Sequence, residues 1–133
     1  MKEKIKPGVT TQKQYELFKS ECAYWQKRFG LLDWEFSYRH GGADEYARAD
    51  ILIKYDAKIA TISLSDDWGE EEPLTDGLVA KTAFHEVDEV RYAWIRRLME
   101  TFYADSISDS AVHDLIRTDE NVIWEEYWQR KKK

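Results

Sequence analysis

Ala83-Phe84-His85-Glu86-Val87-Asp88-Glu89-Val90 places one histidine and three acids inside the most apolar stretch of a 133-residue chain. From Leu74 to about Ala104 the only breaker is Gly77, and Leu78, Ala83, Val87, Val90, Trp94, Leu98 and Phe102 recur at helical spacing. That periodicity predicts one long, largely buried helix. On it His85 and Glu89 stand four apart, so they share a face one turn from each other and can converge on a single ion, with Glu86 beside them. A buried, unpaired carboxylate is costly, so these acids require partners, and a divalent cation is one.

Working outward, a joint rich in Ser and Asp (105–110) leads to a last helix marked by Val112, Leu115, Ile116, Val122, Ile123 and Tyr127. It ends in a basic tail, 129–133, which suits the negative C-terminal pole of a helix and reads as solvated. Upstream, Thr11 and Gln14 form a capping-box pattern, and Phe18, Cys22, Trp25 and Phe29 follow on one face before Gly30, so a first helix is expected near 11–29. Trp34, Phe36 and Tyr38 alternate with polar residues, as do Ala47 to Tyr55 and Ala60 to Leu64 around an Asp56-Ala57-Lys58 turn. These are three strands, the last two a hairpin. Asp66, Asp67, Glu70, Glu71 and Glu72 crowd the following loop without the order of a calcium-binding loop, which favours a solvated loop. The expected fold class is α+β: one domain over 1–133 with an N-terminal arm (1–10), its helices packed on one face of a small three-stranded antiparallel sheet.

The chain carries 26 acidic and 20 basic side chains, a formal charge of −6, which argues against nucleic-acid binding because that affinity comes from neutralising phosphates. No apolar run approaches a membrane span, and Met1 to Lys6 precedes no apolar signal core, so a cytoplasmic protein is expected. The single cysteine, Cys22, reads as a small core residue and leaves nothing for a disulfide or a cysteine-rich zinc site. Six Trp and eight Tyr fall mostly on apolar faces, where core filling is the default.

The spacing invites comparison with H-E-x-x-H, in which two histidines hold zinc and the intervening Glu takes a proton from the water that the ion acidifies. Here Glu89 replaces the second histidine. The last helix offers His113, with Asp109 four residues before it and Arg117 four after. His85, Glu89 and His113 then give two imidazoles and a carboxylate, the inventory of a two-His-one-Glu zinc site, with Glu86 as general base. Glu120 is a substitute ligand, Asp109 is a further substitute or supporting group, the alternative for His113 is an exposed histidine pairing with Asp109 or Asp114, and Asp119 orients a ligand or pairs with an arginine. Asp88 reads as a solvated helix residue and His40 as a turn cap or a group at the cleft edge. Fe²⁺ uses the same ligand set as Zn²⁺.

At these residues the chain resembles a family of small zincin-like metallopeptidases encoded by bacteriophages and prophages. The likeness spans roughly Trp25 to Trp124: the first helix with Tyr24-Trp25 and Phe29, the Trp34 strand, Asp56 to Ile62, Phe84-His85-Glu86-Val87, and His113-x-x-Ile116-Arg117-x-x-Glu120-Asn121. The resemblance implies a minimal zincin fold, with His85 and Glu89 as first ligands, Glu86 as base and His113 as the ligand from the last helix. It implies a zinc-dependent peptidase, with the strand Ala60 to Leu64 as the edge on which an extended peptide lies. The alternative is a catalytically inactive zincin-like binding module for a host or phage protein, in which Glu89 marks altered metal chemistry.

Overall fold

The computed structural model describes residues 7–44, 46–71 and 73–133; Met1 to Lys6 of the N-terminal arm and Glu72 of the acidic loop lie outside the described residues. Helix α1 (Gln12–Arg28) starts at the anticipated capping box, in which the Thr11 hydroxyl accepts from the Gln14 N–H and the Gln14 side chain accepts from the Thr11 N–H. Three strands follow, β1 (Glu35–His40), β2 (Ala49–Lys54) and β3 (Ile59–Leu64), then α2 (Asp76–Arg91), α3 (Ala93–Phe102) and α4 (Asp105–Asp119). A π-helical turn, Glu120–Trp124, passes α4 into α5 (Glu125–Lys132). The α+β class holds.

The sheet is mixed, not antiparallel. Its order is β1-β3-β2: β2 and β3 form the expected hairpin, whereas β1 runs parallel to β3 on its other side, with Glu35 opposite Ile59 and His40 opposite Leu64. β3 is therefore central, which corrects its assignment as the edge strand. Its burial explains the position: Ala60, Ile62 and Leu64 are fully buried, and the most apolar strand gains most by bonding on both edges. The edges belong to β1 and β2.

Phe18, Cys22 and Trp25 of α1 pack with Val79, Ala80, Ala83, Phe84 and Val87 of α2 in one buried cluster that includes Ile62 and Leu64 of the sheet. The Trp25 and Phe84 rings meet edge to face at 4.8 Å. Each such buried side chain contributes roughly 1.5–3 kcal/mol, so α2, which carries the motif, is among the most firmly seated elements. Thr10 and Gly8 bond to the backbone of Asp66 and Trp68. Gly8, at φ +85°, has to be glycine, since a Cβ there would stand 2.2 Å from the Gly69 carbonyl oxygen. His40 neither caps a turn nor approaches the motif: its Nε2 bonds the Thr10 hydroxyl at 2.7 Å and its ring stacks on Tyr15.

The long helix expected over 74–104 breaks at Tyr92, whose φ of −96° and ψ of 4° end α2. No Gly or Pro marks the break. Arg91 and Tyr92 instead reach across to Asp119 of α4. As a result α3 leaves the core, burying only Ala93; Trp94, Leu98 and Phe102, which the periodicity had placed on a buried face, are exposed, and so is Ile95. Among the described residues no helix is long and apolar enough to cross a membrane.

Candidate metal centre

The ligand atoms of His85, Glu89 and His113 all lie within 4.8 Å of one another. His85 and Glu89 come from one face of α2, as their spacing requires, and α4 lays His113 against them, the two imidazoles 5.5 Å apart and nearly parallel. Glu89 Oε1 stands 3.5 Å from His85 Nε2 and 3.1 Å from His113 Nε2. Donors about 2.1 Å from a tetrahedral ion lie roughly 3.4 Å apart, close to the two separations measured from Glu89, so the group can hold a divalent cation.

Each of the three also has a partner on its far side. His85 Nδ1 is 3.5 Å from Glu120 Oε2, at the start of the π turn. His113 Nδ1 is 3.0 Å from the Asp109 carbonyl oxygen and 3.1 Å from its carboxylate, so both rings turn Nε2 toward Glu89. Arg96 of α3 holds the other Glu89 oxygen at 2.7 Å. Such outer contacts fix tautomer and ring orientation in metal sites. Glu120 and Asp109 thus occupy supporting positions.

The remaining acids of the motif separate into two environments. Glu86 is 7 % exposed and lines a cleft of about 420 Å³ together with His85 and Glu120. Burial pushes its carboxyl up to about 8, His85 opposing and Glu89 adding to the rise. Asp88 is not solvated, as the sequence suggested, but wholly buried, bonded to Arg91 Nε at 2.7 Å. Arg91 also pairs with Asp119, which accepts from Tyr92 Oη at 2.7 Å. Asp119 therefore takes the arginine-pairing role, and Asp88 points away from the centre.

Compared with protein-family profiles, curated proteins and solved structures, the chain matches none. The centre is read from its own geometry: a His/Glu/His group that can hold a metal ion. Sequence reasoning missed Arg96, which lies beyond the Tyr92 break, and the two cations of the cleft, Arg48 and Lys81. Lys81 had a signal, standing four residues before His85 on the same face.

The His85 environment sets a pH dependence. Burial disfavours its charge, but the carboxylates of Glu120 and Glu89 outweigh that and push its pKa up to about 10. The metal-free ring is therefore protonated below that value, its contribution to stability present at low pH and lost as pH rises through about 10. A metal must displace that proton and also draws the neutral Glu86 toward ionisation, so calorimetry in two buffers of different ionisation enthalpy should show release of more than one proton near pH 7, with affinity rising at least about tenfold per pH unit. Affinity independent of pH would contradict this protonation state.

Proposed function

We propose that the protein is a zinc-dependent peptidase of the small zincin-like type found in bacteriophages and prophages. The observation that carries this reading is the convergence of His85, Glu89 and His113 with a buried carboxylate, Glu86, facing the adjoining cleft. Zinc bound by these three side chains supplies a Lewis acid that makes water a competent nucleophile near neutral pH.

Every other part of the chemistry belongs to the chain. Glu86, held neutral near pH 7 by burial in the metal-free protein and drawn toward ionisation by a nearby cation, accepts the proton of the attacking water and returns it to the leaving amine. Glu120 and Asp109 orient the imidazoles, and Arg96 orients Glu89. The β2 edge, whose first residue Ala49 lines the cleft, offers its backbone to an extended peptide, the role the sequence reading gave to β3. Iron(II) is the second choice of ion for the same ligands.

Elemental analysis of protein purified without added metal tests the reading. One zinc per chain, removed by chelator and absent from His85→Ala, is the expected result; metal-free protein that takes up no zinc on dialysis would refute it. A second reading, an inactive binding module, is favoured by the exposed Trp94, Ile95, Leu98 and Phe102 of α3.

A further inference from the structure

The cleft beside the metal centre extends one turn along α2 away from His85, between Ala47, Arg48 and Ala49 on the β2 side and Leu78, Lys81 and Thr82 on the helix. It lies in a chain in which acids outnumber bases, and several cations elsewhere have carboxylate partners. Lys19 pairs with Glu16, Lys58 with Asp33, Lys131 with Glu21, Arg130 with Glu126, Arg117 with Asp114, and Arg96 with Glu89. Lys81 shares the cleft with Glu86 and Glu120, and among the described residues it has no carboxylate partner; its ammonium rests 5.6 Å from the centre of the Trp124 ring. On the opposite wall the Arg48 guanidinium lies over Trp68, and its carbonyl, accepting from the Trp68 indole and the Ser65 N–H, fixes the backbone that presents it.

We propose that this cleft is a subsite for a substrate carboxylate, held by Lys81, so that the substrate class is peptides bearing an Asp or Glu side chain, or a free C-terminus, next to the reacting bond. The proposal rests on the peptidase reading for its use in catalysis but not for its binding chemistry. A lysine resting on an aromatic face keeps N–H donors for a further partner, and a carboxylate accepts from an ammonium in a charge-assisted hydrogen bond. Ala47 and Ala49 leave room on the β2 side. Glu86 and Glu120 lie at the His85 end of the cleft, so the ligand carboxylate sits at the Lys81 end, away from them.

The test uses labelled hexapeptides in matched sets: one with an internal Glu, its Gln twin, and neutral versions ending in a free carboxylate or an amide. Fluorescence anisotropy with the protein as purified, in chelator so that no turnover intervenes, should show the acidic member of at least one pair bound roughly tenfold or more tightly than its twin. The pair that discriminates identifies side chain or C-terminus. Lys81→Met keeps the stem over Trp124 and should erase the preference, and Lys81→Glu should shift it toward a Lys-containing peptide. Equal affinity for acid and neutral twins, no measurable binding of any acidic peptide at millimolar concentration, or a preference unchanged in Lys81→Met overturns the subsite. Cleavage of the same peptides with zinc is read separately. Equal cleavage of all twins overturns the subsite and leaves the peptidase reading standing, whereas charge-selective binding with no cleavage supports the subsite and overturns the peptidase.

Discussion

Glu86→Gln should lower peptide hydrolysis by about 10²–10⁴-fold while zinc content stays the same. The amide keeps the size and hydrogen-bonding reach of the carboxylate but cannot take up a proton, and Glu86 is not among the three converging ligand groups. Stability should respond in the opposite direction. Because burial raises the Glu86 carboxyl to about 8, well above its unfolded value, the folded state disfavours its charge, and the parent loses stability from this group as pH rises from about 4.5 toward 8. The neutral amide does not titrate, so the melting temperature of the variant relative to the parent should rise across that interval. His85→Ala behaves differently, losing the metal and with it all hydrolysis. Assays of parent and both variants, with zinc and with chelator, separate the readings: hydrolysis that persists in Glu86→Gln or in chelator defeats the mechanism, and under the binding-module reading Glu86→Gln leaves every function intact.

The second large effect is structural. Arg91→Leu removes the cation bonded to the wholly buried Asp88 and the pair to Asp119 in one step, leaving two carboxylates facing each other beneath the Tyr92 bend. Breaking a buried ion pair from one side costs about 3–5 kcal/mol, which for a chain of this size lowers Tm by roughly 10–15 °C. Burial, with Asp119 beside it, already pushes the Asp88 carboxyl above its ordinary value, and loss of the arginine pushes it further. A carboxyl raised in the folded state destabilises as pH rises, so the variant should be closer to the parent at pH 5 than at pH 8, and Asp88→Asn added to it should restore part of the loss. Thermal denaturation at the two pH values measures this. A Tm within about 3 °C of the parent at pH 8 would mean that the network contributes little.

Spacing alone made half of the centre legible. His85 and Glu89 need only a helix to meet, and the apolar periodicity supplied that helix. His113 needed the packing of α4 on α2, which no pattern within either helix encodes. Asp88 was misread because a period of 3.6 tells which residues share a face, not which neighbour covers it: α4 brings Asp119 to Arg91 and seals Asp88 beneath. The Tyr92 bend was invisible for a related reason, being held by side chains from the far end of α4 rather than by Gly or Pro. Alternation identified three strands and the hairpin turn correctly, but a period of two does not name a partner. The pairing of β1 across β3 followed from burial of β3 on both sides, a property of the assembled molecule.

That pairing also assigns an order of events to folding. β2 and β3 meet through the short turn at Tyr55–Lys58, whereas Glu35 must find Ile59 across 23 intervening positions. Closing the longer loop loses more chain entropy before any contact repays it, so native contacts of high sequence separation set the pace. The segment from Ala47 to Glu120 holds the hairpin, α2 and α4 in one continuous run, in which Arg91 and Asp119 stand 28 positions apart, comparable to the pairing of β1; α1 joins from further away, its Cys22 meeting Ala83 across a separation of 61. Contact order thus assigns the slow step to the docking of the N-terminal helix on α2, an element that completes the core yet supplies none of the three converging ligands.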